Sequence, residues 1–341
     1  MTMSKVDDGG EAAMNGAPHI PVLLQPMLTH LAPKAGETYI DGTFGAGGYS
    51  SAILQQVDCR VIGLDQDPDA LKSARPLLHQ FGSRLSLLEG CYSDMERLIG
   101  ALGIEAVDGV VLDIGVSSMQ LDQAARGFSF RFNGPLDMRM SQSGPTAADL
   151  VNGLSEEELA AVLWRFGEEK KSRKIAREIV LRRALTPFTE TGDLADLIAT
   201  IMPKRPGDKI HPATRTFQAL RIYLNDELGE LLRGLNAATR LLAPGGRLVV
   251  VSFHSLEDRI VKRFLRLSGG RVANQSRHLP DVNKETAVSY QIINSKAVKA
   301  NGEEIEVNPR ARSALLRAAV RTSSPALCFD EGDLGLSSFQ L

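Results

Sequence analysis

Cysteine is scarce in this chain, and its three copies, Cys59, Cys91 and Cys328, stand far apart. That spacing excludes a cysteine metal knuckle and a paired redox motif, so no metal is expected, and it fits a reducing compartment. Long apolar runs are missing too. None reaches the length that spans a bilayer, and residues 1–17 are polar, without the apolar core of a signal peptide. A cytoplasmic protein with a disordered tail over 1–17 is expected. There is no internal repeat and no low-complexity tract. Nor is there an excess of one charge, since 39 Lys and Arg against 41 Asp and Glu leave a net −2. With 341 residues, 43% of them hydrophobic, the chain can bury one large core or two.

What is present is concentrated first in Asp41-Gly42-Thr43-Phe44-Gly45-Ala46-Gly47-Gly48-Tyr49-Ser50. Four glycines within seven positions follow the apolar run Thr38-Tyr39-Ile40, and a helical pattern resumes from Ser50. Glycine allows positive φ and close approach of a ligand to the main chain, and strand, glycine turn and helix N-terminus together hold a polar cofactor. Further strands follow at Arg60–Asp65, Leu85–Glu89 and Val107–Asp113, with helical patterns over Pro68–Phe81 and Asp94–Leu102 between them. This βαβα alternation predicts an α/β protein with a Rossmann-like, doubly wound parallel sheet.

The alternation then stops. The next strand, Gly246–Ser252, begins 133 positions after Asp113 and follows an amphipathic helix expected over Thr216–Leu242, closed by Pro244-Gly245-Gly246. The pattern therefore predicts an inserted helical domain over 128–215, interrupting a cofactor domain formed by 18–127 and 216–322, with a C-terminal tail at 323–341. Within the insertion, Ser155-Glu156-Glu157-Glu158 reads as a capping-box start.

The second strand ends at Asp65, 17 positions past Gly48, where an acid accepts from ribose hydroxyls; Asp67 before Pro68 reads as a helix cap. The loop lacks the third glycine of G-x-G-x-x-G, because Ser50 stands there, which argues against a dinucleotide pyrophosphate. S-adenosylmethionine has no phosphate, and Asp41 and Gly45 suit its methionine end. Tyr92, after the third strand, is placed either to stack on adenine or in the core. A nicotinamide oxidoreductase and a non-catalytic RNA assembly factor remain the rival classes.

Charge is clustered despite the neutral balance. Residues 165–183 carry eight Lys and Arg against three Glu, 259–277 carry six and no acid, and 310–321 add Arg310, Arg312, Arg317 and Arg321. Such runs suit a polyanion. Phe128, Phe130 and Phe132 beside Arg126, Arg131 and Arg139 suit a splayed single-stranded base, and Lys209, His211, Arg215 and Arg221 suit phosphates.

Several blocks together carry a resemblance: His19-Ile20-Pro21-Val22-Leu23-Leu24, the glycine loop, Asp113–Asp122, Arg126–Phe130, Gly134–Met140, Thr214–Arg221, Ser252–Arg259 and Asn308–Ser313. The sequence resembles the bacterial 16S rRNA cytosine-N4 methyltransferase family (MraW-like) over about residues 18–322. The resemblance implies a class I S-adenosylmethionine-dependent fold and a cytidine in the decoding region of 16S rRNA, within the small ribosomal subunit, as substrate. It places cofactor contacts on Gly47, Gly48, Tyr49, Asp65, Tyr92, Asp113 and Gln120. Histidine is usual in the family at Tyr49 and lysine at Leu315, and Ser323–Leu341 matches no block. A membrane partner is not expected, and a homodimer is left open. For the chemistry, Asp113 stands where many amino-methyltransferases carry an acid or amide followed by Pro-Pro-Tyr, which is missing here. Asp113 is expected to accept from the base amine, with Asp137 as second candidate and His254, at the end of the fifth strand, in the pocket. Ser255-Leu256-Glu257-Asp258 also reads as a capping box.

Overall fold

Side chains alternate along each strand, and that alternation assigns the sheet its two cores. The computed structural model describes residues 21–203, 207, 210–270 and 288–336. Its strands are β1 (Thr38–Asp41), β2 (Arg60–Asp65), β3 (Leu85–Glu89), β4 (Val107–Asp113), β5 (Leu242–Ser252), β6 (Tyr290–Ile292), β7 (Val298–Lys299) and β8 (Leu315–Arg321). They join in the order β3-β2-β1-β4-β5-β8-β6, with β7 also on β8; β1 to β5 run parallel and β8 runs against β5. Val61, Val111, Val249 and Val251 face one core with Met27, Leu31 and Ile53. Ile62, Val110, Leu112, Leu248 and Val250 face the other. β4 is apolar on both sides, as a central parallel strand covered by helices must be.

The second core runs without a break into the inserted helices. Leu159, Val162, Leu163, Ile175, Ile179, Phe217 and Leu220 belong to the same apolar cluster as Val110 and Leu112. The insertion consists of helices Ala147–Gly153, Glu156–Gly167, Ser172–Arg183 and Thr191–Ile201, and Thr214–Leu224 packs with them on Glu156–Gly167. Backbones approach closely at that crossing, since a Cβ on Gly167 would lie 2.6 Å from the Arg215 carbonyl oxygen. The 215/216 boundary therefore passes through a helix. Ser155 caps its helix as expected, its Oγ accepting from Glu158 N–H at 3.2 Å while Glu158 reaches back to Ser155 N–H at 2.8 Å.

Three expected elements differ. The helix over Pro68–Phe81 is two, Pro68–Ser73 and Arg75–Phe81, because Pro76 has no N–H to continue the first ladder. The helix over Thr216–Leu242 is also two, Thr214–Leu224 and Glu227–Leu241, separated by Asp226 in the left-handed region at φ 47°. β5 begins at Leu242 rather than Gly246, and its pairing with β4 slips between Val107 and Gly109 to accommodate Pro244-Gly245-Gly246.

Candidate active site

β1, β2 and β4 each end in an aspartate, so Asp41, Asp65 and Asp113 gather at the carboxyl edge of the sheet. The strand order changes sense between β1 and β4, where open α/β sheets bind ligands. A cavity of about 780 Å³ opens there, lined by all three aspartates together with Tyr92, Gln120 and Glu227.

Local geometry explains the glycine loop. Asp65 Oδ2 accepts from Gly45 N–H at 2.7 Å and its Oδ1 from Asp67 N–H at 2.8 Å, so the acid that faces the cavity also holds the loop. Thr43 Oγ1 accepts from Asp113 N–H at 2.6 Å and ties the loop to β4. Gly47 does not line the cavity. It sits at φ 74°, and a Cβ there would lie 2.5 Å from Leu77 and 2.6 Å from Phe44. Gly48, which does line it, opens the helix Gly48–Gln56, and a Cβ on it would meet Pro21 at 2.3 Å. Tyr49 is buried; its hydroxyl donates to the Val22 carbonyl, and the residue lines the cavity. Tyr92 both lines the cavity and packs on Gly234, where a Cβ would come within 2.3 Å of the ring.

A network behind the site joins it to the insertion. Asp67 caps its helix by accepting from Asp69 N–H at 3.1 Å, and its Oδ2 also takes Arg126 Nη1 at 2.6 Å and Gln120 Nε2 at 2.9 Å. Arg126 continues to the carbonyl oxygens of Arg139 and Met140 at 2.9 and 3.2 Å. Only 10% of the Arg126 side chain and 5% of the Asp67 side chain are exposed. Arg126→Gln is expected to cost about 3 kcal/mol, the range for leaving a buried charge without its partner. Denaturant unfolding checks the figure, and an unchanged midpoint would contradict it.

The electrostatics of the cavity favour a cation. Burial pushes the Asp41 carboxyl up to about 6, although Ser50 Oγ donates to it at 2.7 Å. Burial also raises Asp65, against the two main-chain N–H groups that bond it. Asp113 is raised well above the carboxylate range by burial and by its neighbours Asp41 and Glu257, and its Oδ1 is buried without a hydrogen-bond partner. Three desolvated acids with an orphaned oxygen among them suit the ammonium and sulfonium of S-adenosylmethionine. Asp41 would meet the methionine end, Asp65 the ribose, and Tyr92 with Gln120 would border the nucleoside.

Other expected site residues lie elsewhere. Asp137 does not line the cavity; it is gripped by Arg139 through Nε at 2.9 Å and Nη2 at 2.7 Å. Burial alone would raise Asp137, but those bonds hold it below the usual range. His254 is outside the lining as well. It, rather than Ser255, caps the helix Ser255–Ser268, so the capping box is shifted by one residue. Its Nε2 lies 2.9 Å from Glu257 Oε1, yet both atoms are buried and misaligned for a hydrogen bond. Burial would raise Glu257, but His254, Arg221 and the Phe253 N–H together lower it. Arg221 is largely buried and forms a two-bond pair with Glu227, at 2.6 and 2.8 Å, so phosphate contact is not its role. Glu227, His254 and Glu257 bring ligand atoms within 4.8 Å of one another, but Arg221 already supplies a cation there.

The aromatic segment divides. Phe128 is buried beneath Arg126, and Phe130 packs against His211 and Phe217, whereas Phe132 is 64% exposed beside exposed Arg131. Arg215 is exposed, Arg139 is spent on Asp137, and Lys209 lies outside the described residues. Lys170, Lys171, Arg173, Lys174 and Arg177 are exposed at the start of the basic helix. The 310–321 run is not a surface patch. Arg310 pairs with Asp122, Arg317 with Asp258, and Arg321 is buried against carbonyl oxygens.

A doubly wound sheet with its acids at the switch point, an antiparallel strand between β5 and β6, and a cavity lined by those acids define a class I S-adenosylmethionine-dependent methyltransferase. Residues 16–322 match the MraW methylase family, and the chain belongs to it. A protein of Parvibaculum lavamentivorans named ribosomal RNA small subunit methyltransferase H is 56% identical over 329 residues, 96% of each chain. One of the same name from Bradyrhizobium diazoefficiens is 56% identical over 313 residues, 92% of this chain and 94% of its own. Among the described residues no helix is long and apolar enough to cross a membrane.

Proposed function

We propose that this enzyme methylates N4 of a cytidine in the decoding region of 16S rRNA, within the small ribosomal subunit. The names of its relatives supply the substrate class. The observation that supports amine chemistry is Asp113, which lines the cavity at the end of β4 and keeps a buried Oδ1 without a partner. The lone pair of a cytosine amine is delocalised into the ring, so it becomes nucleophilic only when held in line and allowed to pyramidalise. S-adenosylmethionine supplies an electrophilic methyl carbon on a positive sulfur. In its carboxylate form, which the cofactor's positive charge would favour against the burial that raises it, Asp113 accepts one amine N–H, orients the nitrogen, and takes the proton that the nitrogen must lose as it gains the methyl. Position and electrostatics then carry most of the rate. The base leaves its stack to reach Asp113, and exposed Phe132 and Arg131 stand on the segment that meets it. The exposed cations of Ser172–Arg183 hold phosphates, which makes binding weaken steeply with salt.

Incubation with methyl-labelled S-adenosylmethionine and either small subunits or naked 16S rRNA, followed by nucleoside analysis, tests the reading. One N4-methylcytidine per subunit, mapped to the decoding region, is expected. Label on another base, or on none, would refute it.

A further inference from the structure

We propose that Glu227 is the second acceptor for the exocyclic amine of the target base, working beside Asp113. The proposal deepens the reading above and rests on it. An unmethylated cytosine amine has two N–H groups, and the reading above has Asp113 accept from only one. Besides Asp113, six acids line the cavity: Asp41, Asp65, Asp67, Asp122, Glu227 and Glu230. Asp67 is taken up by Arg126, Gln120 and the Asp69 N–H, and Asp122 pairs with Arg310. Asp41 is committed to Ser50 and Thr43, and Asp65 to Gly45 and Asp67. Glu230 accepts from Ser93 N–H at 2.9 Å and lies 3.5 Å from Arg233, so it fastens the Tyr92 segment. Glu227 takes two bonds, as Asp41 and Asp65 do, but both come from one guanidinium, and it is not one of the acids read above as meeting the cofactor. Its bonds are the two from Arg221, and a carboxylate has about four lone-pair positions. Among the described residues nothing else donates to it.

Its placement also fits a substrate contact. Glu227 opens the helix Glu227–Leu241 immediately after left-handed Asp226. The residue before that turn, Asn225, accepts from Met140 N–H at 2.9 Å and donates to the Met138 carbonyl at 2.9 Å. Met140 and Asn225 line the cavity with Glu227, so the carboxylate stands where the insertion meets the sheet edge. Arg221, from the helix Thr214–Leu224 that packs on the inserted helices, fixes its angle with a planar two-bond fork that a single-point cation would not provide. Behind it, Glu257 and His254 fill the space into which the side chain would otherwise turn.

Two carboxylates at one amine also give base selectivity. Uracil carries an oxygen where cytosine carries the amine, and facing two anionic oxygens it would be repelled rather than bound.

The test compares wild type with Glu227→Gln on small subunits carrying cytidine or uridine at the target position. For Glu227→Gln, kcat is expected to fall tenfold to a hundredfold, the usual scale for one charge-assisted hydrogen bond. Affinity for S-adenosylmethionine should stay within about twofold, and the binding preference for cytidine over uridine subunits, read from their dissociation constants because uridine has no amine to methylate, should be largely lost. A purely structural role would weaken both subunits alike. If Glu227→Gln does not fold, Glu227→Asp keeps the charge while withdrawing it by one methylene and should show the same fall in kcat. Wild-type kcat and unchanged preference in a folded variant would overturn the proposal, as would a selective loss of cofactor affinity. Absence of N4-methylcytidine with the wild-type enzyme would overturn the reading beneath it, and the proposal with it.

Discussion

Asp41→Asn is expected to abolish S-adenosylmethionine binding while making the ligand-free protein more stable at pH 8. Asp41 is buried and hydrogen-bonded to Ser50, and burial lifts its pKa from 3.8 to about 6. A raised carboxyl binds its proton more tightly in the folded state than in the unfolded one. The folded state therefore pays nothing for it below pH 3.8, and a penalty grows through the interval to about 6 and then stays constant. The shift corresponds to a ceiling of about 3 kcal/mol. Asparagine removes that penalty, so the stabilisation should be full above pH 6 and vanish near pH 4. Binding follows the opposite logic, because the cofactor's ammonium needs the carboxylate. Wild-type affinity should fall about tenfold per pH unit below 6, and the variant should lack this slope. Calorimetric titrations and thermal unfolding at pH 5 and 8 check both halves. A variant that still binds within a few-fold, or loses stability at pH 8, would contradict the assignment.

Asp113→Ala should lower kcat by about a thousandfold, the scale of removing one positioned polar group at a developing charge. The fold should survive, because the lost carboxyl is a buried acid whose Oδ1 has no partner. Asp113→Asn separates the two duties of this residue. Its amide oxygen can still accept from the amine, but the amide cannot take up the departing proton. Activity between those of alanine and wild type is therefore expected, with a weaker pH dependence. Single-turnover methylation of small subunits measures this directly. Equal rates for Asn and Ala would confine Asp113 to proton uptake, and a wild-type rate for Ala would remove it from the chemistry.

The legible parts of this site are the local ones. Three strands ending in aspartate, and a turn needing positive φ at Gly45 and Gly47, are written within short windows of sequence. Contacts between distant residues decided the rest. Arg317 and Arg310 read as a basic run until the fold brings Asp258 and Asp122 to them, 59 and 188 positions away. Arg221 looked free for phosphate because its partner Glu227 lies beyond a turn that the helical pattern concealed. Asp226 is the residue that makes the difference, since its left-handed backbone ends one helix and aims the next. The Thr214–Arg221 block carried a hint, because an arginine six residues before a glutamate spans nothing in a continuous helix but everything across a turn.

The Leu23 N–H donates to Glu304 Oε1 at 2.6 Å, across 281 positions, and Tyr49 holds the carbonyl next to it. Arg310 meets Asp122 at the rim of the same cavity. The wall around the cofactor is thus drawn from both far regions of the described chain. During translation the glycine loop and all three aspartates emerge early, but the cavity stays open on one side until residues near 304–310 have left the exit tunnel. A nascent chain therefore gains its methyl-donor site only after those residues have emerged.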